Sequence, residues 1–168
     1  MLTSLRNNYY IFRHGETINS KNDVDYGDKE YVRKILPEGI PAIKKLGEYL
    51  KNVQTNRNLT SELLRCVQTS DIVSGITGKK FEKYPLLIEY MDNSFAGFKL
   101  RMKKLVAELE SKEDLTYLIC THGAVISALK YLLTTGKYEE QNLMDYPKTG
   151  TLMIIENGKV DLLDFNTP

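Results

Sequence analysis

Tyr117-Leu118-Ile119-Cys120-Thr121-His122-Gly123, residues 117–123, commits the chain to an α/β architecture. Its first five residues carry no charge and favour extended backbone, the pattern of a strand buried on both faces. His122-Gly123 ends the strand, and an apolar helix is predicted over residues 124–133. A buried strand that passes directly into a helix is half of a βαβ unit, and such units build parallel sheets. Upstream, Tyr9-Tyr10-Ile11-Phe12 is a second strand candidate, and it ends on Arg13-His14-Gly15. The chain has two histidines in all, and each is followed by glycine at the end of a predicted strand.

Further elements lie between and beyond these two. Pro37 stands at a helix start, and Ile40, Ile43, Leu46 and Leu50 follow at helical spacing. Residues 56–61 read as a short strand. Ser61 is placed to cap a helix over residues 62–74, in which Leu63, Leu64, Val67 and Ile72 are apolar. Residues 81–87 read as extended, with Pro85 at a strand end or edge. Phe95, Phe98, Met102, Leu105, Val106 and Leu109 mark another amphipathic helix, and Lys99, Arg101, Lys103 and Lys104 its solvated face. Residues 151–156 and 159–165 flank Asn157-Gly158, a strong hairpin signal. Residues 18–34 are polar, with little periodicity, and read as a surface excursion. No internal repeat or second boundary is visible. The expectation is an α/β fold over residues 1–168 as a single three-layer α/β/α domain, its sheet mostly parallel and closed by a C-terminal antiparallel hairpin.

With 168 residues, 42% of them hydrophobic, the chain is long enough to bury a substantial core. Its 23 Lys+Arg against 22 Asp+Glu argue against a nucleic-acid partner, which calls for a basic excess or stripe. No apolar run is long enough to span a membrane, and residues 1–8 lack a secretory signal. Two cysteines cannot make a disulfide framework, so cytoplasmic localisation is expected. Cys66, Cys120, His14 and His122 form a possible zinc set, but their spacing fits no finger or ribbon, and buried inert thiols are the better reading. Asn58-Leu59-Thr60 matches a glycosylation sequon that carries no weight without a secretory signal.

Strand ends followed by helices are where open α/β sheets bind anions. Glycine after each histidine lets the backbone approach a bound group and frees an N–H. Arg13 beside His14 favours the neutral, nucleophilic imidazole. Ser61 and Arg65, four residues apart, are expected on one helical face, where the guanidinium suits a bidentate phosphate clamp. By charge alone Glu62, Asp71 and Glu82 are possible acids.

Taken in order, Arg13-His14-Gly15-Glu16-Thr17, the segment Ser61-Glu62-Leu63-Leu64-Arg65-Cys66-Val67-Gln68-Thr69 and Thr121-His122-Gly123 resemble the motifs of the histidine phosphatase superfamily, the phosphoglycerate mutase-like family. Leu86-Leu87-Ile88-Glu89 occupies the place of that family's acid, and the closing hairpin is similar as well. The resemblance implies a phosphoric monoester hydrolase acting through phosphohistidine on His14. Arg13, Arg65, His122 and Gly123 would hold the phosphoryl group and Glu89 would serve as acid and then base, with no metal or cofactor. Where the family usually keeps a phosphate-contacting Asn, this chain has Ser20, with Asn19 one residue earlier. The following segment, Asn22-Asp23-Val24-Asp25-Tyr26-Gly27, is acidic and disfavours a strongly anionic substrate tail unless Lys21 or Lys29 compensates. The span from Glu89 to His122 holds little beyond one helix and a strand, too short for the lid of a mutase, so hydrolysis is expected. A mutase-type phosphotransferase and a non-catalytic phosphate-binding module are the alternatives. The partner is expected to be a phosphorylated small molecule or phosphoprotein, and an exposed edge could support a homodimer.

Overall fold

The computed structural model describes residues 6–166. The chain runs through β1 (Asn8–Arg13), α1 (Ile18–Asn22), α2 (Ile40–Leu50), β2 (Arg57–Thr60), α3 (Leu64–Thr77) and the two-residue β3 (Glu82–Lys83). It continues with α4 (Phe95–Leu109), β4 (Thr116–Thr121), α5 (Gly123–Thr134), β5 (Thr151–Glu156) and β6 (Lys159–Asp164). The sheet order is β3-β2-β4-β1-β5-β6. Its first four strands are parallel, while β5 runs antiparallel to β1 and β6 antiparallel to β5. Asn157 and Gly158 both have positive φ at the hairpin tip, as a two-residue loop of matching twist requires.

Alternation along the central strands sorts the core into two layers. Tyr9, Ile11, Tyr117 and Ile119 face one side and pack with Phe98, Met102 and Leu105 of α4 and Val125, Ile126 and Leu129 of α5. Phe12, Leu118 and Cys120 face the other, against Ile43, Leu46 and Leu50 of α2 and Cys66 and Val73 of α3. Helices therefore cover both faces of a mostly parallel sheet, as expected. None of them is long and apolar enough to cross a membrane, among the described residues.

The register of β1 on β4 pairs Arg13 with Thr121. His14 and His122 consequently leave the two central strands side by side, at the sheet edge where α5 begins. Three expectations need correction. Helix α3 starts at Leu64 with Leu63 as its cap, because Ser61 still belongs to the strand ladder, its N–H bonded to the Cys120 carbonyl. Ser61 and Arg65 thus do not share a helical face. Residues 81–87 form only two strand residues before Pro85 directs a single 3-10 turn over Pro85–Leu87. Residues 18–34 contain α1, capped by Thr17, and a 3-10 turn, and part of them folds inward.

Candidate active site

His14 is wholly buried. Its Nδ1 lies 2.8 Å from the Gly15 carbonyl oxygen, which can only accept, so the ring proton sits on Nδ1 and Nε2 carries the lone pair. That Nε2 is buried without a hydrogen-bond partner. Burial, with the charges of Arg13 and Arg65 behind it, holds the imidazole well below the usual histidine range. The turn beneath it is tied to α3 by Thr69, whose hydroxyl accepts from the Gly15 N–H at 2.7 Å and donates to the Arg65 carbonyl.

The His122 ring lies 5.4 Å from the His14 ring, centroid to centroid. Its Nε2 is 2.8 Å from the Ser61 hydroxyl, and the Cys66 thiol is also against it. Burial first, then Arg65, keeps His122 well below the normal range as well. Cys66 and Cys120 are free, buried thiols, and no group of three or more His, Cys, Asp or Glu side chains is arranged to hold a metal, among the described residues.

Arg65 is fully buried. Its Nη2 reaches the Glu30 carboxylate at 2.5 Å and lies 3.8 Å from the Glu89 carboxylate, and its Nη1 donates to the Glu30 carbonyl. The Tyr26 ring covers the guanidinium at 3.8 Å. Arg13, half-buried, stands over Tyr146 at 5.0 Å. The Nε atoms of Arg13 and Arg65 are buried and unpartnered, like Nε2 of His14. Two donors with no partner, on residues brought to one sheet edge, suit the oxygens of a small tetrahedral oxyanion, and the lone pair beside them suits its electrophilic centre.

Glu89 joins this group, its Oε2 3.7 Å from His122 Nδ1 and its Oε1 accepting from the Tyr90 N–H. Burial pushes its carboxyl up, opposed by that N–H and by Arg65, while the Glu30 charge pushes the same way as burial. Asn19 and Ser20 both line a cleft of about 450 Å³ that opens beside Arg13 and Glu89. The Asn19 amide donates to the Asp25 carbonyl, and the Ser20 hydroxyl is engaged with Thr17 in the cap of α1. Gly123 opens α5 where a Cβ would collide with the Tyr146 ring. Glu62, Asp71 and Glu82 stand apart, and Glu82 pairs with Arg57.

The family model of the histidine phosphatase superfamily (branch 1) matches residues 9–93, just over half of the chain. The chain belongs to that superfamily. Solved structures share its fold. It is similar to the alpha-ribazole phosphatase from Shigella flexneri, with 19% identity over 95% of this chain and 96% of that one and a TM-score of 0.73. Phosphoglycerate mutase from Bacillus anthracis str. Sterne follows at 15% identity, covering 95% of this chain and 92% of that one, with a TM-score of 0.69. The protein histidine phosphatase SixA complexed with tungstate matches at 20% identity over 93% and 94%, with a TM-score of 0.63. No curated protein sequence matches the chain.

The candidate site has residues that the sequence does not announce. Tyr26 and Glu30 come from the segment expected to be a surface excursion, and Ser61 serves His122 instead of capping a helix. Arg101, expected on a solvated face, is largely buried and donates to the carbonyls of Leu86, Ile88 and Glu89 and to the Asp92 carboxylate. Its spacing, three residues after Phe98 and four before Leu105, both buried, is the available signal.

Proposed function

We propose that this protein hydrolyses a phosphomonoester through a covalent phosphohistidine on His14. The observation that carries the reading is the buried, unpartnered Nε2 of His14, left as a lone pair by the Gly15 carbonyl and flanked by Arg13, Arg65 and His122. Nε2 attacks phosphorus in line as the bond to the leaving oxygen breaks, and that oxygen takes the Glu89 proton. Arg13 and Arg65 balance charge on the equatorial oxygens of a loose transition state, and His122 donates a hydrogen bond to them. Glu89, now a carboxylate, takes a proton from water, whose oxygen displaces Nε2 and releases orthophosphate. His14 returns neutral. The raised Glu89 carboxyl and the lowered His14 imidazole move in the directions that the first step needs, the acid toward keeping its proton and the base toward losing one.

Hydrolysis is favoured over mutase-type transfer because residues 90–121 supply α4 and β4 and little else with which to shield an intermediate from water. Superfamily membership supports a phosphorylated small molecule as substrate. The test is hydrolysis of p-nitrophenyl phosphate with EDTA present, in the wild type and in His14→Ala. Turnover that falls at least about a thousandfold in the variant is expected, together with acid-labile phosphate trapped on the wild type alone. Phosphate binding without turnover or trapped phosphate would reassign the protein as a binding module.

A further inference from the structure

The cleft carries information about the leaving group, because Arg13 and Glu89, assigned above to the phosphoryl group and to the leaving oxygen, both line it. Tyr26, Tyr90 and Tyr146 line it, and so do Val24 and Met144, which are 59% and 67% exposed. Two exposed apolar side chains facing one cleft are apolar surface awaiting a partner. Asp23 and Asp25 supply negative charge at the same rim, and neither has an ion-pair partner among the described residues. Of the cations that line the cleft, Arg13 stands at its inner end beside Glu89 and Lys148 is paired with Asp164 at 3.2 Å, while Lys21 nearby is paired with Glu38 at 3.6 Å.

Asn19 adds an independent observation. It is 8% exposed and lines the cleft. Its amide nitrogen donates to the Asp25 carbonyl, which fixes the orientation of the amide and leaves Oδ1 buried without a partner. An orphaned buried acceptor calls for a donor from the ligand.

We infer that the cleft selects phosphomonoesters whose alcohol is an aromatic or apolar body that is uncharged or cationic and bears a hydrogen-bond donor, and that it discriminates against anionic tails. The inference rests on the phosphatase reading of the adjoining site. Asp23 and Asp25 set the charge preference, Asn19 takes the donor, and Tyr26 and Tyr146 flank the ring while covering Arg65 and Arg13.

The experiment compares phenyl phosphate with para-substituted esters of matched length, one ending in an ammonium group and one in a carboxylate. Benzylphosphonates with the same substituents measure binding without turnover. The cationic ester is expected to exceed the anionic one in kcat/KM by about tenfold, the scale of two partly screened charges, and the ratio should shrink as salt is raised. In the D23N/D25N variant the ratio should fall to about threefold or less, phenyl phosphate serving as the reference that cancels any general loss. Asparagine tolerates the positive φ of Asp23, so the variant retains the local backbone. An anionic ester used as well as the cationic one, or a ratio indifferent to D23N/D25N, overturns the inference. If no ester is hydrolysed yet the phosphonates keep the order cation over anion, the catalytic reading falls and the selectivity stands. The same ring as phosphotyrosine in a lysine-flanked peptide separates the sources. Turnover comparable to the free cationic ester assigns a protein side chain, and turnover of the free ester alone assigns a small molecule.

Discussion

Glu30 engages both terminal nitrogens of Arg65, through its carboxylate and its own carbonyl, and these are donors that a phosphate needs. On the proposed function, phosphate entering the site displaces a carboxylate already seated there. Glu30→Gln keeps the carbonyl contact and removes the competing charge. The inhibition constant for inorganic phosphate should fall about tenfold, near the lower end of the roughly 1.5–3 kcal/mol of a charged hydrogen bond. Weaker phosphate inhibition in the variant would instead make Glu30 part of the phosphate site. The residues legible in the sequence, Arg13, His14, Arg65 and His122, each sit in a local signal of strand end, glycine or helix start. Glu30 and Tyr26 do not, because their contact with Arg65 spans more than thirty residues of chain and nothing in a polar segment marks which side chain turns inward.

Arg101 shows the same limit at the level of elements. The apolar repeat Phe98, Met102, Leu105 and Leu109 made α4 legible, and the two-fold alternation in β1 and β4 made the layers legible. What α4 does for the site was not, since it depends on the irregular stretch that packs beside it. The Arg101 guanidinium gathers the carbonyls of Leu86, Ile88 and Glu89, grips Asp92 and lies over Phe98 at 5.1 Å. Thr121 of β4 donates to the Leu87 carbonyl and fixes the other end of that stretch. On the proposed function, Arg101 is thus expected to act as a positioning residue for Glu89. Its loss should matter most when the leaving group needs a proton. For Arg101→Met, turnover of an alkyl phosphate should fall about a hundredfold, while turnover of p-nitrophenyl phosphate, whose leaving group is acidic, falls less than about tenfold. A purely structural role would lower both rates alike, so equal losses on the two substrates refute the assignment.

Across the whole molecule, the burial that shapes the site also sets how stability responds to pH. The chain has two histidines, and both are buried with lowered pKa values. Unfolding returns them to about 6.5. Between the lowered folded values and about 6.5 the unfolded chain binds more protons, so stability declines as pH falls through that window and is unaffected by the histidines above it. The slope from the pair is at most about 2.7 kcal/mol per pH unit, twice the roughly 1.36 kcal/mol of one group. Glu89 acts with the opposite sign. Its raised carboxyl keeps a proton in the folded state, so between its unfolded and folded values acidification favours the fold by at most about 1.4 kcal/mol per unit. Two histidines outweigh one carboxyl wherever their windows overlap, and net loss is expected on going from pH 7 to pH 5. Urea midpoints over that range should fall steadily for the wild type. For His122→Asn, where Ser61 keeps a partner, the decline should be at most about half as steep, and flatter wherever Glu89 opposes the one histidine left. A flat wild-type profile would mean that the histidines gain protons without unfolding, and thus that the site is open to water in solution. Orthophosphate, bound by the folded form alone, should raise every midpoint, and most at the acidic end if its charge admits a proton to the imidazoles it touches.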